Sequence, residues 1–213
     1  MKKYLSIIIL SLVAMSLNLL GAEKIKISCV GDSITFGARI NAPEDRYPQQ
    51  LDVMLGDGYQ VVNFGVSGAT LLSKGNKPYT KLQAYKDALA LNPNIVIIKL
   101  GTNDSKMQNW DKVSEFEGDL NALIESFAKL DTKPTIYLCT PCPAFLVGDK
   151  ISEDRIVKLI PIIEKIAKER SLKVIDLHSK LAGKSELFPD KIHPNEAGAK
   201  LMAEIIKAEI LAK

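Results

Sequence analysis

The feature that most constrains this chain is an alternation of two hydrophobic periods. Short apolar, β-branched runs at 25–30, 60–63, 94–99, 135–139 and 173–175 are separated by helical patterns at 47–55, 79–91, 115–130 and 154–170. A last helical pattern covers about 196–211. Helices between successive strands supply the crossovers that parallel pairing needs, so the chain reads as α/β, a parallel sheet covered on both faces. Asn94-Ile-Val-Ile-Ile-Lys-Leu100 is nearly continuous in apolar content, as a strand buried on both faces should be. At 213 residues, the length suits one domain with a proper core.

Local punctuation agrees with this reading. Gly56-Asp57-Gly58 closes the first helix, and Asn92-Pro93 and Lys133-Pro134 lead into strands. Ser114-x-x-Glu117 predicts a capping box at the start of the third helix. Pro161 falls inside the fourth helical pattern and predicts a kink or a later start.

Residues 1–22 stand apart. Lys2 and Lys3 precede an almost wholly apolar stretch that ends at Gly21-Ala22, before the charged Glu23. This is the layout of a secretory signal peptide cleaved after Ala22, which leaves a domain of residues 23–213 in a secreted or periplasmic location. An uncleaved N-terminal anchor is the alternative. Cleavage would remove Lys2 and Lys3 and lower the formal net charge from +3 to +1. No Lys/Arg stripe with interleaved aromatics is present, so nucleic acid is not an expected partner. After cleavage, no stable membrane association is expected either. Of the three cysteines, Cys139 and Cys142 have C-x-x-C spacing, but they lie too late in the chain for a thioredoxin-like pair. Packing or an incidental disulfide explains them better.

In folds of this kind, ligands bind beyond the carboxyl ends of the strands. The first such loop holds Gly31-Asp32-Ser33, a serine among small residues that permit a tight turn. Serine needs a base to become a nucleophile, and histidine suits that task near neutral pH. The chain has His178 and His193. Asp190 lies three residues before His193, close enough within one turn to orient its imidazole. Asp176 stands two residues before His178 at a strand end, a less useful spacing, so His193 is preferred. The second loop, Asn63-Phe64-Gly65-Val66-Ser67-Gly68, offers the Gly65 backbone N–H at close approach. The third, Gly101-Thr102-Asn103-Asp104, offers the Asn103 side-chain amide. Taken singly, each of these is as well explained by a turn.

Together, Gly31-Asp32-Ser33, Gly65, Gly101-Thr102-Asn103-Asp104 and Asp190-x-x-His193 resemble the ordered blocks of the SGNH/GDSL hydrolase superfamily over about residues 25–211. The resemblance implies a three-layer α/β/α, flavodoxin-like fold with a five-stranded parallel sheet. It implies Ser33 as nucleophile, His193 as base and Asp190 as its orienting acid. The Ser33 and Gly65 N–H groups and the Asn103 side chain would form the oxyanion hole. Neither a metal nor an organic cofactor is required. Ile34 stands where the motif's name has leucine.

The second and third blocks look like those of sialate O-acetylesterase-like and carbohydrate acetylesterase-like members. The expected substrate is a small-molecule or glycan ester with a short acyl group. A lysophospholipase or platelet-activating-factor-acetylhydrolase-like esterase is the enzymatic alternative, and a non-catalytic glycan-binding module is another. Asp32, Asp104, Trp110 and Phe145 are expected at the substrate pocket, with Met107 and Leu146 beside them. Lys77 and Tyr79 are further candidates to face a sugar.

Overall fold

The apolar runs pair as strands. In the computed structural model, which describes residues 23–212, β1 (Ile25–Gly31), β2 (Tyr59–Gly65), β3 (Ile95–Lys99), β4 (Thr135–Cys139) and β5 (Lys173–Ile175) form one sheet. The expected signal segment, 1–22, lies outside the described residues. All neighbours are parallel, in the order β2-β1-β3-β4-β5. The chain leaves β1 toward β2 and then crosses to β3 on the other side of β1, which creates a switch point there. Gly31 is in register with both Gly65 and Lys99, so β2, β1 and β3 end level with one another.

Period-two alternation divides the core into two halves. Ile27, Cys29, Ile97, Tyr137, Cys139 and Ile175 face α2 (Tyr47–Leu55) and α8 (Glu196–Leu211). Val30, Val96, Ile98, Ile136 and Leu138 face α3 (Gln83–Ala90), α5 (Phe116–Ala128) and α6 (Glu153–Glu169). The result is three layers, α/β/α. On α5, Leu120, Leu123, Ile124 and Phe127 recur three and four apart and are all buried. Each contributes roughly 1.5–3 kcal/mol on burial, which makes packing, not intrinsic propensity, the main hold on this helix. Short helices α1 (Ser33–Phe36), α4 (Met107–Trp110) and α7 (Leu177–Leu181) follow β1, β3 and β5.

Two local expectations need correction, and a third is narrowed. The pattern 79–91 splits into a 3₁₀ turn, Tyr79–Lys81, and α3, because Leu82 between them is extended. The Ser114 capping box does not form. Ser114 lies in a 3₁₀ turn, Val113–Glu115, so it lacks the extended backbone that a capping serine adopts. Its intended partner Glu117 instead pairs with Lys165 across to α6 at 2.7 Å. Helix α6 runs through Pro161 without a later start. Pro161 is exposed, and the carbonyl that lacks a donor belongs to Val157 on the same solvent side, where water can serve it.

Cys29, Cys139 and Cys142 are free and buried. Burial pushes all three thiols up, Cys142 to about 11, which disfavours the thiolate that redox chemistry needs. Cys142 packs against Met202, with the sulfur atoms 3.8 Å apart.

Candidate active site

Ser33 opens α1 at the carboxyl end of β1. The Asp32 side chain caps this helix by accepting the Ile34 N–H at 2.9 Å. Ser33 Oγ stands 2.8 Å from His193 Nε2, although 160 residues separate them. The histidine comes from the turn before α8. Asp190 Oδ1 accepts the backbone N–H groups of Ile192 at 3.0 Å and His193 at 2.7 Å, so the acid organises the turn as well as facing the ring. Its Oδ2 lies 2.7 Å from His193 Nδ1. An ionised carboxylate can only accept, so Nδ1 carries the proton and Nε2 is left to accept from the serine hydroxyl. The three side chains form a continuous hydrogen-bonded chain.

Partial burial pushes Asp190 up, but the His193 N–H, its imidazole and the Ile192 N–H outweigh that and hold it at about 2. A carboxylate held below its ordinary 3.8 adds stability above that pH and loses it as pH falls through the folded value. The expected contribution is about 2 kcal/mol. Urea denaturation at about pH 5 and about pH 2 should show the gap between the native chain and Asp190→Asn narrowing by that amount; a constant gap would contradict it. Arg39, which sequence reasoning missed, also reaches Asp190 Oδ2, with Nε at 2.7 Å. Its side chain is 69% exposed, so solvent screens most of that attraction.

A cavity of about 260 Å³ opens at Ser33 and His193, lined also by Ser67, Gly68, Asn103 and Lys106. Asn103 donates one amide hydrogen to the Ala69 carbonyl at 3.0 Å, which fixes the side chain and leaves its second hydrogen for the cavity. Asn109, buried on α4, donates to the Asn103 carbonyl at 2.8 Å and holds that turn. Ser33 N–H, in the first turn of α1, also has no acceptor among the described residues.

The expected donor Gly65 is not at this cavity. Its N–H goes to Asn63 Oδ1 at 2.9 Å. It is glycine because β2 passes so close to α1 that a Cβ would lie 2.1 Å from Phe36 N. Gly68 takes its place at the cavity, with φ +82, a conformation that favours glycine. Its N–H has no acceptor among the described residues. Gly68 belongs to the same Asn63–Gly68 loop; only its position in that loop distinguishes it from Gly65, and that is set by tertiary geometry.

The expected pocket residues lie elsewhere. Asp32 is wholly buried beneath Ser33, where both its oxygens accept from Lys99 Nζ at 3.1 Å. Lys99, also wholly buried, donates to Thr102 Oγ1 at 2.9 Å. Asp104 is wholly buried too and holds the 71–72 backbone, accepting from Leu71 N at 3.1 Å and Leu72 N at 2.8 Å. Burial raises it to about 6 against the pull of those N–H groups. Trp110 packs on the core beside α5. Phe145 packs against Phe188 with tilted rings whose centres are 5.3 Å apart, and with Leu146 it lines a separate cavity. Tyr79 is buried and donates to the Phe64 carbonyl at 2.8 Å, and Lys77 ties down the Ser67 carbonyl at 2.9 Å. His178 pairs with Glu153 at 2.7 Å, away from Ser33, while Asp176 caps α7. Among the described residues, no group of three or more His, Cys, Asp or Glu could hold a metal ion. No described helix is long and apolar enough to cross a membrane.

The profile described as GDSL-like Lipase/Acylhydrolase family matches residues 29–201. The chain belongs to this family. An acetylxylan esterase from Xylanibacter ruminicola is 46% identical to this GDSL-like chain, over 88% of the chain and 43% of the relative. The chain thus spans less than half the length of that relative. A solved carbohydrate acetylesterase from Sinorhizobium meliloti has a TM-score of 0.73 at 20% identity, covering 88% of this chain and 98% of that one. The solved acetyl xylan esterase AlAXEase has a TM-score of 0.68 at 24% identity, covering 88% and 100%. At such identities these two structures establish that this GDSL-like chain shares their fold.

Proposed function

We propose that this GDSL-like chain is a serine carboxylic ester hydrolase that removes short acyl groups, chiefly acetyl, from carbohydrates outside the cytoplasm. The observation that carries the reading is the Ser33–His193–Asp190 relay facing a cavity with free hydrogen-bond donors. Binding alone needs no nucleophile–base pair, so the relay favours an enzyme over a glycan-binding module.

His193 Nε2 takes the Ser33 proton as Oγ attacks the ester carbonyl. The negative charge that develops on the carbonyl oxygen is met by the Ser33 N–H, the Gly68 N–H and Asn103 Nδ2. The alcohol leaves with the proton from His193, and a water deprotonated by the same imidazole then frees the acid. Asp190 keeps the imidazole in the productive tautomer and stabilises its cation. If Asn103 acts on the transition state, Asn103→Ala lowers kcat by roughly 10²–10³ with little change in KM. A raised KM at unchanged kcat would assign it to ground-state binding instead.

A cavity of about 260 Å³, lined partly by Ser67, Gly68, Asn103 and Lys106, suits an acetyl group better than a long acyl chain. The acetylxylan esterase relative and the carbohydrate acetylesterase neighbour support a sugar acetate as substrate. Export is supported by Lys2-Lys3 and the apolar stretch that follows. The test is turnover of p-nitrophenyl acetate and of acetylated xylan by residues 23–213, beside Ser33→Ala. Turnover of both substrates that is lost in the variant is expected; equal rates in the two proteins would refute the assignment.

A further inference from the structure

A second cavity, of about 370 Å³, adjoins the one at Ser33 and is lined by Lys106, Gln108, Asp149, Lys150, Ile151 and Ile192. Lys106 and Ile151 line both cavities, so the two are adjacent. We propose that this second cavity is the subsite for the sugar that carries the ester, a neutral pyranose in the leaving-group position. The proposal rests on the ester-hydrolase reading above and adds where the alcohol half of the substrate sits.

The chemistry of the first step fixes the side on which that half must lie. The Ser33 Oγ–carbon bond forms, the carbon–oxygen bond to the sugar breaks, and His193 passes the serine proton to the departing oxygen. The sugar oxygen must therefore be beside His193. The residue next to it, Ile192, lines the second cavity.

The lining matches a pyranose. Lys106 and Lys150 donate, the Asp149 carboxylate accepts, and the Gln108 amide does both, as sugar hydroxyls do in return. Ile151 and Ile192 offer apolar surface to the ring C–H face. The side-chain polar groups of Lys106, Gln108 and Asp149 have no protein partner among the described residues. Lys106 is half-buried, and burial holds its ammonium below the ordinary lysine value. A partly desolvated cation without an acceptor gains from a ligand oxygen. A choline headgroup fits poorly. The six lining residues include no aromatic ring to receive it, and the two lysines outnumber the single Asp149 carboxylate.

The cavity walls are also fixed in advance, which spares the ordering cost of binding. Met107 N donates to the Asp149 carbonyl at 3.0 Å, joining the segment before α6 to α4. Arg155 on α6 clamps the same segment, donating to the Lys150 carbonyl at 2.7 Å and to the carbonyls of Gly148 and Ser105.

The test compares kcat/KM for an O-acetylated xylo-oligosaccharide with that for p-nitrophenyl acetate, in the native chain and in Gln108→Ala/Asp149→Ala. The ratio of sugar to nitrophenyl ester should fall about tenfold or more in the variant, mainly through KM for the sugar. Unchanged thermal unfolding would show that the fold is intact. A native chain that hydrolyses both esters, with the same ratio in the variant, overturns the subsite and leaves the esterase reading standing. A native chain that hydrolyses the nitrophenyl ester but no acetylated sugar removes the carbohydrate reading and the subsite together.

Discussion

His193→Ala is expected to lower kcat on p-nitrophenyl acetate by about 10⁴-fold or more. Among the described residues, Ser33 Oγ has a single base within hydrogen-bond reach, His193 Nε2 at 2.8 Å. On the proposed mechanism, without that base the hydroxyl must ionise unaided before it can attack. The residual rate would belong to the donors around the cavity and to substrate positioning, which the substitution leaves in place. On the proposed mechanism serine and histidine act as one unit, so the double variant with Ser33→Ala should be little slower than either single one. Initial rates, with circular dichroism to confirm the fold, make the comparison. A loss below about tenfold would mean that another group takes the serine proton, and Lys106 would be the first to examine.

The largest expected effect on stability lies beneath Ser33. Lys99 and Asp32 are both wholly buried, and Lys99 Nζ meets both carboxylate oxygens at 3.1 Å. Lys99→Met strands a carboxylate in the core and should cost about 3–5 kcal/mol in chemical denaturation. Adding Asp32→Asn should recover much of that loss, because it removes the stranded charge while keeping an oxygen for the Ile34 N–H. Activity is coupled to the same pair, since Asp32 caps the helix that begins at Ser33. A Lys99→Met chain as stable as the native one, or a double variant less stable than Lys99→Met alone, would show that the pair does not hold this corner of the core.

The parallel sheet was legible because buried parallel strands must be apolar on both faces, and few other elements read that way. Ser33, Asp190 and His193 could be singled out because Asp190 and His193 are close in sequence, the Ser33 loop follows the first strand, and with the other loops they resemble the SGNH/GDSL blocks. Gly65 and Gly68 show where such reading stops. Both lie in one short loop, and only the close pass of β2 against α1 decides which N–H is spent on Asn63 and which faces the cavity. Asp32 and Asp104 misled for a related reason. A polar residue beside a nucleophile suggests a pocket, yet each is paired inward, with Lys99 from β3 and with the 71–72 backbone. Those partners are 67, 33 and 32 residues away, beyond the reach of local pattern. Arg39 carried no sequence mark that would join it to Asp190.

The most direct test of the central claim is covalent trapping of the nucleophile. The protein would be incubated with diethyl p-nitrophenyl phosphate, digested, and its adduct located by mass spectrometry. One diethylphosphoryl group on Ser33, matched by lost turnover and absent from Ser33→Ala, is the predicted result. A protein that turns over p-nitrophenyl acetate yet carries no adduct, or carries it on another residue, would contradict the serine mechanism.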